Sequence, residues 1–101
     1  MSTVAIEQAK QTLQHAMEDA AEIITQLGGT PPPSPHDGDS EVMLTAANKA
    51  DSILCESRSE GGDERQKAWE DSRTTGGKQA EDVLNDLQAS RDRFKALVDE
   101  T

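Results

Sequence analysis

Aromatic side chains are almost missing from this sequence: Trp69 and Phe94 are the only two, and tyrosine is absent. Ligand pockets are walled mainly by apolar and aromatic groups, so there is little from which to build a catalytic cleft, and the chain is expected not to be an enzyme. Large aliphatic residues are scarce as well. Leu, Ile, Val and Phe together make up 16 of the 101 residues, below the roughly 20% level at which high net charge begins to oppose folding. Small domains bury a low fraction of their surface in any case. The sequence therefore predicts a thin core that a second copy of the chain, or a helical partner, completes.

Cys55 is the only cysteine, which excludes an intrachain disulfide and favours a reducing, cytoplasmic setting. Runs of apolar residues reach only three, as at Val42, Met43 and Leu44, and the start MSTVAIEQAK has neither a basic region nor an apolar stretch behind it. Neither a membrane span nor a signal peptide is expected. Bases are half as numerous as acids, 10 against 20, for a net charge of -10. The densest basic run, Arg91, Arg93 and Lys95, is interrupted by Asp92, and neutralising phosphates requires clustered Lys and Arg, so no direct nucleic-acid partner is expected.

Chemistry-bearing residues are dispersed. His15, His36 and Cys55 lie on three different segments without metal-ligand spacing. Asp37, Asp39 and Glu41 alternate as at the start of a calcium loop, yet Val42 stands where that loop needs glycine and Asn48 where it needs glutamate. No metal and no cofactor are expected. Glu56 beside Cys55 opposes formation of a thiolate. The glycine pairs at 28, 61 and 76 follow no strand and make no phosphate cradle.

What is present is helical periodicity. Ile6, Leu13, Ala20 and Leu27 recur every seventh residue, with Met17 and Ile24 between them, which predicts a helix over about 4–27. Ser2 or Thr3 can cap its start, and Gly28 is suited to the left-handed conformation that closes a helix. All four prolines fall in 31–35 and forbid continuation. Residues 28–40 thus read as a stiff linker, a role preferred over the PxxP ligand that Pro32 and Pro35 spell. A second helix over 41–57, capped by Asp39 or Ser40, presents the small face Met43, Ala46, Ala47, Ala50 and Leu54. A short third helix over 63–73, with Asp63 and Gln66 spaced as a capping box, carries Trp69. The last, over 78–99, repeats the strong seam with Leu84, Leu87, Phe94 and Val98. Arg91 interrupts it, read as an edge residue that snorkels in preference to one that sets register or partner choice.

Size, acidity and a lone tryptophan resemble the small WXG-type helical hairpins, but Glu70 and Asp71 follow Trp69, so the Trp-x-Gly turn is missing and nothing carries over from that family. Strand signals are absent. The expected fold is all-α, a single domain over 1–101: a small antiparallel bundle of three long or medium helices plus one short one, completed by dimerisation. The expected function is a non-enzymatic protein-protein interaction or assembly module acting through amphipathic helix faces. Ile6, Leu13, Met17, Ile24 and Leu27 face Leu84, Leu87, Phe94 and Val98, and Trp69 is either a lid over the core or an interface anchor. The alternative is a small acidic inhibitor or immunity-type protein that blocks a basic site on its partner.

Overall fold

The computed structural model describes residues 3–33, 40–59 and 62–100. The described residues form four helices, α1 (Thr3–Gln26), α2 (Ser40–Ser59), α3 (Asp63–Asp71) and α4 (Ala80–Asp99), so the all-α expectation holds, with boundaries within about two residues of those read from periodicity. Two of the proposed helix caps, Ser2 and Asp39, lie outside the described residues, as do His36, Asp37, Ser34 and Pro35.

α1 stops where glycine permits it. Gly28 adopts φ 86°, its amide donates to the Thr25 carbonyl at 3.1 Å, and the Gly29 amide donates to the Ile24 carbonyl at 2.9 Å. These are the paired bonds of a Schellman motif, which satisfy carbonyls that the helix end would otherwise leave open. At Gly29 space rather than dihedrals favours glycine, since a Cβ there would lie 3.0 Å from the Ile24 side chain, which would have to give way.

Helix directions follow from the polar contacts. Gln26, at the end of α1, bonds Arg73, which precedes α4; Asp19 pairs with Lys78 at 3.7 Å; and Gln8, near the other end of α1, shares a surface depression with Arg93. α1 and α4 are therefore antiparallel. Asp51 meets Arg91 and Arg58 meets Glu81, so α2 is antiparallel to α4 too. It follows that α1 and α2 run parallel, so the antiparallel packing expected of the bundle holds for α4 against each of them and not between α1 and α2. The linker makes this arrangement feasible: Pro31, Pro32 and Pro33 lie along α2 beside Thr45, Lys49 and Ile53. At about 3 Å per residue for extended, proline-rich chain, the connection is long enough to return along the roughly 30 Å length of α2.

The core runs between the three long helices. Leu13, Ile23, Met43, Ala47, Leu54, Leu84 and Leu87 are fully buried, with Trp69 over one end. Seven of the eighteen buried apolar residues are alanine. Small faces let helix axes approach closely, so the few large side chains suffice to fill the space between them. A sequence poor in bulky residues thereby closes its core within one chain.

α3 starts differently from the capping box read in the sequence. Gly62 occupies the cap position without a side-chain cap bond, and Asp63 is already helical. Gln66 instead reaches forward to Glu70 at 3.5 Å. Asp63 and Glu64 still favour the first turn through the helix dipole. The TTGG break is a closed turn: Arg73 and Gln79 form an antiparallel bridge, and the Thr74 amide donates to the Lys78 carbonyl at 2.9 Å.

Candidate functional site

The residues singled out by periodicity converge on the seam where α1 lies against α4. Leu13, Met17 and Ile24 of α1 and Leu84, Leu87 and Phe94 of α4 are buried there, and Ile6, Leu27 and Val98 pack half-buried at its ends. Trp69 is buried as well, in the position of a lid. All ten therefore touch the core of their own chain. Among the described residues the large apolar side chains left exposed are Val4 at 61% and Val42 at 48%, both at helix starts. Because α1 and α2 are parallel, these two fall at the same end of the molecule, opposite Trp69.

A polar cluster breaks the α2–α4 contact at mid-length. The Asp51 carboxylate accepts from Arg91, from Gln88 at 2.9 Å and from the Cys55 thiol at 3.4 Å. Arg91 also bonds Asp92 at 3.0 Å and Asn48 at 3.4 Å. It does not simply snorkel at the edge: its side chain is 21% exposed and that of Asp51 17%. Burial works against the charged form of Asp51, but the hydrogen bonds from Gln88, Arg91 and Cys55, with the Arg91 charge, outweigh it and hold the carboxyl below its usual range.

The same cluster decides the chemistry of Cys55. Burial, and then donation to Asp51, push its thiol up, against the smaller pull of Arg58 and Arg91. Asp51 on the same helix face, rather than Glu56, thus opposes the thiolate. Because the thiolate is the reactive species, alkylation of native Cys55 by iodoacetamide near pH 8 is expected to run at least about tenfold slower than in the urea-unfolded chain. Equal rates would mean that the thiol is neither shielded nor hydrogen-bonded.

At the Trp69 end, the indole N–H donates to Glu81 Oε2 at 3.2 Å, while Glu81 Oε1 accepts from Arg58 at 3.1 Å. The following turn is tied to α1: Gln26 exchanges two hydrogen bonds with the Arg73 backbone, and Glu22 accepts from both the amide and the hydroxyl of Thr75 at 2.9 Å. His15 is exposed, 3.7 Å from Glu18. Among the described residues no group of three or more His, Cys, Asp or Glu side chains is arranged to hold a metal ion, and no helix is long and apolar enough to cross a membrane.

Sequence reasoning found the apolar seam but not the Asp51–Gln88–Arg91 cluster or the Arg58–Glu81–Trp69 chain. Asp51 was detectable as the one acid inside the apolar face that runs from Ala47 to Leu54, opposite the seam that Arg91 interrupts. No family model, curated protein or solved structure matches this chain, so its own packing is the basis for a functional reading.

Proposed function

We propose that the protein is a non-enzymatic interaction and assembly module of the cytoplasm, whose amphipathic helix faces associate with a second copy of itself. The observation that carries this is that α1 and α2 run parallel, joined by a proline-rich connection whose Pro31, Pro32 and Pro33 lie along α2. α1 sits on its neighbours through side chains alone, with Leu13, Met17 and Ile24 buried against α4, and a proline-rich connection precedes α2. An α1 from another chain can fill the same cradle and remake every one of these contacts, at the cost only of extending the linker. Exchange of an identical element is a low-cost route to a symmetric dimer. It also lets residues buried in one chain serve as the interface of two.

Hinge length provides the test. Gly29 lies beside Ile53, about 20 Å along α2 from Ser40. Deleting residues 31–36 shortens the connection by about 18 Å and leaves a reach of about 15 Å, which prevents α1 from folding back beside α2 in the same chain. Sedimentation equilibrium is expected to find concentration-dependent association of the natural chain that persists in molar salt, and a stable helical dimer after the deletion. A deletion variant that stays folded and monomeric would sink the reading.

One observation favours the acidic-inhibitor alternative. Arg58, Lys78 and Arg91 are engaged by Glu81, Asp86 and Asp51, which leaves carboxylates dominant on the surface. A partner recognised in that way would be lost steeply as salt rises.

A further inference from the structure

We propose that α3 is a latch that opens as a unit while α1, α2 and α4 stay packed. This stands independently of the dimer proposed above. Among the nine residues of Asp63–Asp71, Trp69 alone is buried, and an isolated helix of this length is not stable in water, where about 12–15 residues are needed. α3 therefore exists as a helix only while its tryptophan is seated.

The seat is bordered on both sides by open surface depressions. A cavity of about 690 Å³, lined among others by Arg58, Gln66, Trp69, Gln79 and Glu81, opens along one flank. A smaller one of about 160 Å³ separates Ala68 and Arg65 from Leu27 and Ser57. The Trp69 ring and its indole hydrogen bond to Glu81 join α3 to α4 between these two depressions. Glu81, the acceptor, is itself held by Arg58 of α2, so it remains in place when the ring leaves.

The two ends of α3 differ: the first turns at a glycine, whereas at the second Ser72 is buried and its hydroxyl donates to the Ala68 carbonyl at 2.6 Å. Gly62 has φ 153°, a conformation that side-chain-bearing residues rarely adopt, and Ser72 is extended at φ -66° and ψ 136°. Beyond Ser72 the chain is pinned, because Gln26 grips Arg73 and Glu22 grips Thr75. Motion is confined between these points, and the pinned turn keeps α4 in register with α1. The two sequence readings of Trp69 then describe two states of one residue: a lid when the latch is closed, an exposed anchor when it is open.

Hydrogen exchange on the intact chain, resolved by residue, tests this. The amides at 66–71 are expected to exchange at least about tenfold faster than those at 13–24 and 84–94, by an opening that low urea hardly accelerates. Replacing Glu81→Gln weakens the bond to the indole. It is expected to speed exchange in α3 by about three- to tenfold and to leave the long helices unchanged. Equal protection in all four helices, or acceleration by the same factor everywhere in the Glu81→Gln chain, would overturn the proposal by making α3 part of the global unit. Exchange at 66–71 as fast as in an unstructured peptide would overturn it equally, since no closed state would exist.

Discussion

Truncating Phe94→Ala is expected to remove about 3–5 kcal/mol of stability, out of the roughly 5–15 kcal/mol that holds a small domain together. The ring is 1% exposed and is the one phenylalanine in the chain. The lost energy has two parts: the transfer of the ring's apolar surface from water, and the void left when neighbours cannot collapse into its space. Relaxation is restricted here. The alanine faces that let the helices pack closely have no side-chain freedom with which to refill a hole. Phe94→Leu keeps much of the volume and is expected to cost less than about 1.5 kcal/mol, while Val4→Ala, at a site 61% exposed, is expected to stay within about 0.5 kcal/mol of neutral. Urea unfolding followed by far-ultraviolet circular dichroism gives all three values. A loss below about 1 kcal/mol for Phe94→Ala would mean that the α1–α4 seam does not support the fold.

The helices were legible because each has a period and an ending. Seven-residue spacing from Ile6 to Leu27 locates α1, Gly28 ends it, and the four prolines keep it ended. The capping-box reading at Asp63 failed because glycine at 62 supplies the turn by itself, leaving the acid free to enter the helix. Spatial order was not legible. Whether α2 returns antiparallel or parallel to α1 depends on how far the connection reaches, and composition reveals its stiffness without its destination. Composition also understates the packing: counting Leu, Ile, Val and Phe weighs side-chain bulk, whereas Ala20, Ala47 and Ala80, each fully buried, act by letting backbones approach.

The polar cluster between α2 and α4 was hidden for a different reason. Arg91 in an apolar seam is an interruption when α4 is read alone, and Asp51 is one acid among many when α2 is read alone. Only the antiparallel alignment of the two helices makes them partners. A charged pair at mid-length permits one register of α2 on α4, because sliding by a turn would bury each charge against apolar neighbours. That is a specificity role, and it does not require the pair to add net stability.

Arg91→Met is accordingly expected to destabilise the fold, by about 1–3 kcal/mol. This is less than the loss for a fully enclosed pair, because both side chains keep some contact with water. The cause is the carboxylate left behind. Asp51 would retain Gln88 and Cys55 as donors but lose the guanidinium, so burial would dominate and push its pKa up. Since the natural Asp51 is held below the ordinary carboxylate value of about 3.9, its contribution is complete above that pH and is lost as pH falls through the lower folded value. In the Arg91→Met chain the folded value rises above the unfolded one, which reverses the sign: stability gained by protonation appears at low pH, and the penalty is greatest near neutrality. The deficit relative to the natural chain should therefore be largest at pH 7 and shrink as pH approaches 4. Adding Asp51→Leu removes the orphaned charge, and the double variant is expected to recover most of the loss, as apolar replacements of buried pairs often do. Urea midpoints for the three chains across that pH range decide the matter. A deficit independent of pH, or a double variant as unstable as Arg91→Met alone, would show that Arg91 acts through the packing of its aliphatic stem and not through its charge.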